Sequence, residues 1–280
     1  MKFTLYNDLK HFASDTLEIL LENEVQNNLP ISFIKNENNS DSSSWILATI
    51  QDENGSVMLT AACTPPYNIV LFETKNIPND TAVKLLSDEL KSLKIKVPGV
   101  LAQQNLAHRF SQNYAENDNF HLHVSMNIMQ LDEVFDVKKS PGFCRELNEN
   151  DLFYMPYWER AFEEDCKLNL STLQKRFHKI NQRIGKNTHY IWENQHPVAC
   201  CVNHRNTENG AGIGFVYTPP HYRGNGYATS VVAELSQNLL ERGNKFCFLF
   251  ADAANPISCG IYRKIGFKDL CVVDQIHFNF

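Results

Sequence analysis

The stretch His221-Tyr222-Arg223-Gly224-Asn225-Gly226-Tyr227-Ala228 constrains this chain most, because it joins an apolar, strand-like run to a helix-like run through a glycine-rich turn. Ahead of it, Ile213-Gly214-Phe215-Val216-Tyr217-Thr218 reads as a short buried strand that Pro219 and Pro220 close, since proline cannot continue a ladder. Behind it, Val231, Val232, Leu235, Leu239 and Leu240 recur at helical spacing. Gly224 and Gly226 accept positive φ and carry no Cβ, so successive N–H groups can converge on an anion at the positive end of the helix. The pattern calls for a ligand that carries phosphate.

The turn lacks the Gly-Lys-Ser/Thr end of a P-loop and the hydroxyl that would hold magnesium. Gly210, Gly212 and Gly214 are spaced like part of a dinucleotide fingerprint, but they lie before and inside the strand, whereas that fingerprint follows one. A second signal comes later in the chain. Lys245 to Phe250 reads as a strong strand that leads to Asn255, a natural helix cap, and Pro256, which suits a first helical position. Together, Arg223-x-x-Gly226-x-Ala228 and Asn255-x-x-Ser258-x-x-x-Tyr262-x-Lys264-x-Gly266-Phe267 resemble the pyrophosphate loop and the following helix of the GNAT superfamily of N-acetyltransferases.

Composition fits a two-domain chain. Its 280 residues exceed the usual size of one domain, and a formal charge of -6 with no dense Lys/Arg block argues against a nucleic-acid binder. The eight cysteines include no CxxC, and Cys200, Cys201, Cys247 and Cys271 fall in apolar, strand-like runs, as buried thiols would. His189, His196, His204 and His221 have no metal-ligand spacing, and no metal is expected. Met1 to Leu29 reads as an amphipathic helix with Phe12, Leu17, Leu20, Leu21 and Val25 on its apolar side, not as a signal peptide. No apolar run is long enough to span a bilayer, so the expected location is the cytoplasm.

A break near Lys138 to Gly142 separates two halves of similar order. From Phe143 onward the chain lays out strand, two helices, three strands, loop, helix, strand, the Tyr262 helix and a last strand. The first half echoes this. Trp45 to Gln51 and Val57 to Cys63 form a hairpin around Glu53-Asn54-Gly55, Asn68 to Phe72 a strand, Asp80 to Leu93 a helix, and Gln103 to Tyr114 a helix spaced like the one with Tyr262. Where the glycine loop belongs, Glu73-Thr74-Lys75-Asn76-Ile77-Pro78-Asn79 offers no glycine. The resemblance thus implies an α/β (α+β) fold of two GNAT-like domains, each a mixed, largely antiparallel twisted sheet flanked by helices. Residues 1–139 would form a degenerate domain without a pyrophosphate loop, and residues 140–280 a complete acetyl-CoA-binding domain.

The same resemblance implies the chemistry. Phe215, Val216, Tyr217 and Thr218 would pair with the pantetheine arm of acetyl-CoA, and Arg223, Gly224, Asn225, Gly226, Tyr227 and Ala228 would hold its pyrophosphate. Asn255 and Ser258 would contact the arm, and Tyr262 would give a proton to the departing sulfur, which suits a phenol that stays protonated near neutral pH. The acceptor would be a primary amine of a small molecule, less readily of a protein, met by a monomer or homodimer without nucleic acid or membrane. A non-catalytic coenzyme A sensor or interaction module is the alternative. The strand before the loop contains no carboxylate, so the general base is left among Glu163, Glu164, Asp165 and water.

Overall fold

The computed structural model describes residues 1–35, 43–74, 78–116 and 119–279. In chain order its first elements are β1 (Lys2–Tyr6), α1 (Leu9–Leu21), α2 (Asn28–Lys35), β2 (Ile46–Gln51), β3 (Val57–Cys63), β4 (Ile69–Glu73), α3 (Asp80–Ser92), β5 (Gly99–Gln103), α4 (Gln104–Tyr114) and β6 (Phe120–Leu131). Then follow β7 (Phe143–Glu146), α5 (Met155–Asp165), α6 (Leu173–Asn181), β8 (His189–Asn194), β9 (His196–His204), β10 (Gly210–Tyr217), α7 (Tyr227–Glu241), β11 (Phe246–Asp252), α8 (Pro256–Ile265) and β12 (Lys268–Phe278). Among the described residues no helix is long and apolar enough to cross a membrane.

The chain divides into two compact units. Unit 1 holds Met1–Met129, Phe250–Pro256 and Asp269–Phe280, and unit 2 holds Gln130–Leu249 and Ile257–Lys268. Compactness therefore partitions the chain differently from a single cut at 139/140, because residues 130–139 go with the second unit and two later segments go with the first.

Unit 1 is an antiparallel sheet with one parallel step. β1 to β4 pair antiparallel in sequence order, β4 runs parallel to β5 at Ile69↔Val100 and Val70↔Leu101, and β12 pairs antiparallel with β5 from Val273↔Gln103 to His277↔Gly99. The β2–β3 hairpin closes on Asp52, whose carboxylate accepts the Asn54 and Ser56 N–H groups at 2.9 Å, with Gly55 at φ +82°. Over this sheet, α3 and α4 bury Leu86, Leu90, Ala107 and Phe110 against Ala48, Leu59, Ile69 and Val100, and Ile276 and Phe278 of β12 join the same core.

The start of the chain differs from the sequence reading. Lys2–Tyr6 is not helical; it pairs as an edge strand with β2, from Lys2↔Gln51 to Tyr6↔Leu47. Helix α1 begins only after Asp8, whose side chain caps it by accepting the His11 N–H at 2.9 Å. A β-branched and aromatic run beside an open sheet edge is satisfied by the ladder, a partner that local periodicity does not reveal.

Unit 2 follows the same plan. β7 pairs with β8, β8 with β9 and β9 with β10, all antiparallel, and β10 runs parallel to β11 from Gly210↔Phe246 to Ile213↔Leu249. One face carries Ile191, Cys200 and Tyr217 against Met155 of α5 and Ile180 of α6. Cys201, the neighbour of Cys200, points the other way and donates its thiol to the Val231 carbonyl of α7.

Ile276 tests whether the last strand belongs to the first unit's core, because its side chain is fully buried there. Ile276→Ala is expected to destabilise the protein by about 2–5 kcal/mol in chemical denaturation. A loss below about 0.5 kcal/mol would remove β12 from that core.

Candidate active site

The second half of β10 is irregular in a way that exposes backbone. Gly214 faces Val202 of β9 and Tyr217 faces Cys200, so three steps along β10 answer two along its neighbour. The extra residue bends the strand at Phe215, which sits at φ +47°, a conformation that a bulky side chain adopts only when its surroundings hold it there. Those surroundings are Phe162 of α5, edge-on at 4.8 Å between ring centroids, and His189 of β8 at 5.6 Å. Gly214 just before it is required, since a Cβ there would strike the His204 imidazole. Phe215 and Val216 are half-buried and Tyr217 is buried.

Beyond the strand, Pro220–Tyr222 form a short 3-10 turn that leads into the glycine loop. Gly224 and Gly226 take φ +80° and +77°, and Gly226 is the N-cap of α7 with no side chain closing the helix end. The first N–H groups of α7 therefore have no side-chain acceptor, in a loop whose residues Arg223 to Gly226 are exposed. Arg223 is held beside them: its Nε donates to the Thr218 carbonyl at 2.9 Å and its Nη2 meets Asp165 at 2.6 Å. Asn225 stitches the turn by donating to the Tyr222 and Arg223 carbonyls, and Ser140 anchors it from outside, its hydroxyl donating to the Asn225 carbonyl at 2.7 Å and its N–H to Ser230 at 2.8 Å. Tyr227 accepts from the Asn194 amide at 3.0 Å, and Ala228 is half-buried in the first turn of α7. A Cβ on Gly226 would come within 2.9 Å of the Ser140 hydroxyl.

The corresponding helix of unit 1, α3, starts beside acceptors of the chain itself. There Glu73, at the end of β4, accepts the Asn79 N–H at 2.8 Å and pairs through its other oxygen with Arg109. Asn79 in turn caps α3 by accepting the Ala82 N–H at 3.0 Å. A carboxylate of the chain itself thus lies at this helix end. Lys75, Asn76 and Ile77 of the expected loop position are outside the described residues.

Tyr262 is buried on α8, its ring edge-on to Phe267 at 5.9 Å. Burial pushes its phenol up to about 12, against a hydrogen bond from Ser258 one turn earlier that pulls it down. The hydroxyl stays protonated throughout the neutral range. Cys166, the residue that ends α5 next to Asp165, adds to the same upward push. For Tyr217, burial and Asp165 raise the phenol, while Arg223 opposes them. Asn255 is exposed at the end of the segment Phe250–Pro256 of unit 1, its N–H donating to the Asp252 carbonyl at 3.0 Å.

Each carboxylate considered for the general base is already engaged. Glu163 is buried, which by itself would raise its pKa, but the Ser171 hydroxyl and N–H and the Arg176 guanidinium outweigh burial and hold it below the usual carboxylate range. Glu164 pairs with Arg160 along the exposed side of α5, and Asp165 holds Arg223. The sequence reading did not see the partnership of Asp165 with Arg223, nor the anchoring by Ser140, which sits in what reads as a linker. Neither has a local signature, because each joins residues far apart in sequence.

Comparison with known proteins places this geometry. The family model described as FR47-like protein matches residues 194–274. Solved structures that match the chain include an acetyltransferase from the GNAT family from Colwellia psychrerythraea, at 13% identity and a TM-score of 0.63 over 100% of both chains. A GCN5-related N-acetyltransferase from Sphaerobacter thermophilus matches at 14% identity and a TM-score of 0.65, over 98% of this chain and 94% of that one. A tandem GNAT protein from the clavulanic acid biosynthesis pathway matches at 12% identity and a TM-score of 0.57, over 98% and 97%. No curated protein matches. These likenesses establish the fold, including its tandem form.

The buried imidazoles beside the bulge make the protein acid-sensitive. Burial, reinforced by Arg183, Lys179 and His204, holds His189 down to about 3 from 6.5. Between those values the unfolded chain binds the extra proton and the folded one does not, so stability falls as the pH drops from about 6.5 toward 3 by about 1.4 kcal/mol per unit for this group. His189→Phe is expected to flatten the stability profile between about pH 6 and 4 by about one proton, read by urea denaturation at stepped pH. An unchanged slope would show that His189 does not stay neutral in the fold.

Proposed function

We propose that this chain, which has the tandem GNAT fold and an FR47-like segment over residues 194–274, is an acetyl-CoA-dependent N-acetyltransferase that acetylates a primary amine of a small molecule. The observation that carries the proposal is the pairing of an uncapped, glycine-opened N-terminus on α7 with a strained bulge at Phe215 on the strand that leads to it. The residues present fit the coenzyme: Gly226 leaves room and unpaired N–H groups where a phosphate would sit, and Arg223 adds positive charge. Coenzyme A bound there supplies an acetyl group activated as a thioester.

The chain's own groups then have separable tasks. Arg223, Gly224, Asn225, Gly226, Tyr227 and Ala228 hold the pyrophosphate, and Phe215, Val216, Tyr217 and Thr218 present strand backbone to the arm, with Asn255 and Ser258 as further contacts. A backbone N–H at the bulge faces the carbonyl oxygen as charge develops on it. The neutral amine forms the new C–N bond, the C–S bond breaks, and Tyr262 donates its hydroxyl proton to the sulfur. The proton lost by the amine leaves through water, since Glu163, Glu164 and Asp165 are all committed to other partners. A cytoplasmic setting, a monomer or homodimer, and independence from metal, nucleic acid and membrane belong to the same proposal.

Acetyl-CoA titrated by calorimetry is expected to bind once per chain, and Gly226→Glu, which puts bulk and negative charge at the phosphate position, to abolish binding. Unaltered binding by the variant would overturn the loop's role, and two sites per chain, one surviving Gly226→Glu, would overturn the view that the first half has lost its own.

Tyr262→Phe keeps the ring in its packing site and removes the proton, so kcat is expected to fall about 10²–10⁴-fold while coenzyme affinity holds within about twofold. Equal turnover under conditions where the chemical step limits the rate would make Tyr262 a packing residue only.

A further inference from the structure

One polar cluster of unit 2 is unused by the reading above. Residues of alternate parity share a face of a strand, so His189 and Ile191 of β8 and Cys200 and His204 of β9 all look toward α5 and α6, the side on which Phe215 meets Phe162 and His189. His204 is spoken for: it lies over Gly214 and its Nε2 is 3.3 Å from Arg205. His189 is not. Its ring is 1% exposed, and neither ring nitrogen has a hydrogen-bond partner among the described residues. A neutral imidazole carries one donor and one acceptor, and leaving both unmet in the interior is costly enough that such a group calls for a missing partner.

The charges around it say what kind of partner. The positive charges of Lys179 and Arg183, from α6 and the turn after it, both act on His189 and disfavour its protonation. Glu159 of α5 is the acidic group beside Arg183, but one of its oxygens is taken by Lys179 and the other is buried without a partner. One carboxylate therefore answers two cations, and among the described residues the Arg183 guanidinium has no hydrogen bond or ion pair. Asp151, the other acid sensed by His189, is already engaged by Arg145, Tyr154 and the Asn148 N–H. Exposure is graded through the cluster: Lys179 is about half exposed at 52%, Arg183 half-buried, and His189 buried beside the bulge.

We propose that Arg183, Lys179 and His189 form an anion subsite for the acceptor, so that the amine acetylated here also carries a carboxylate or a phosphate. Arg183 offers the anion a planar, bidentate fork, Lys179 a second positive charge at the entrance, and His189 a neutral N–H at the closed end. The unpartnered oxygen of Glu159 accepts a hydrogen from the same molecule and sets its orientation. Anchoring the acidic end there holds the acceptor on the face of the sheet that carries Phe215, whose ring centroid lies 5.6 Å from that of His189. This inference rests on the acetyl-transfer reading for the role of the site, but its anion specificity is measurable without turnover.

The test uses the full chain and products as probes: N-acetyl amino acids, the corresponding N-acetyl amino acid amides, and N-acetyl-phosphoethanolamine, followed by the His189 ring resonances in NMR titrations. Probes with a carboxylate or a phosphate are expected to shift those resonances and the matching amides are not, and which acid binds tighter identifies the anion. Arg183→Gln is expected to weaken the binding of the acidic probes at least tenfold while acetyl-CoA binding stays within about twofold, and Arg183→Lys to restore part of it. Acids and amides acting alike, or an Arg183→Gln variant that binds acids as the parent does, would overturn the subsite. Should the probes behave as expected while no acidic amine is acetylated, the subsite stands and the acetyl-transfer reading falls.

Discussion

An α-helix leaves the N–H groups of its first turn without partners inside the helix, and the way each unit answers this determines what the unit can hold. At α3 the answer is internal: Asn79 accepts the Ala82 N–H, Glu73 accepts the N–H of Asn79 itself, and Arg109 pairs with Glu73. At α7 there is no side chain at all, because the N-cap is Gly226. The second solution leaves a concentrated positive end exposed, and it is tolerable because Ser140 and Asn225 fix the turn through its carbonyls and leave its donors alone. Two turns at equivalent places in two similar sheets thus differ in one respect, whether the anion is built into the chain or must come from outside.

The bulge in β10 depends on the same economy of side chains. Gly214 carries none, which lets His204 lie across the strand, and the next residue then takes a left-handed conformation that only tight packing sustains. Phe162, His189 and Phe215 interlock there, so the strand's irregular backbone is fixed by aromatic contacts from α5 and β8. Of these, His189 is also the residue on which the charges of Arg183 and Lys179 act. The bulge and the proposed anion subsite thus share His189, and changing that residue acts on both.

Much of the fold was legible because its signals are local. The hairpin at Asn54-Gly55 and the proline that opens α8 each act within a few residues, and α3, α4, α7 and α8 appear close to where periodicity places them. The glycine loop was legible as a turn for the same reason. What escaped was non-local. Lys2–Tyr6 became a strand through a ladder with residues more than forty positions away, and nothing in Gly214-Phe215-Val216-Tyr217 announces that Phe215 adopts positive φ. The salt bridge from Asp165 to Arg223 spans 58 positions, and the unmet nitrogens of His189 are visible only once β8, β9 and α6 have come together.

Connectivity adds a constraint that neither unit reveals alone. The chain leaves unit 2 after Leu249, returns at Ile257, and leaves again after Lys268, so α8 is tied at both ends to segments that fold with unit 1. Tyr262 lies in the middle of that helix. Cys259, Tyr262 and Ile265 of α8 are buried, so the place of the helix rests on its packing as well as on these two connections. The two units are thus not separable by one cut in the backbone, and a single two-state stability measured for one of them would not describe either.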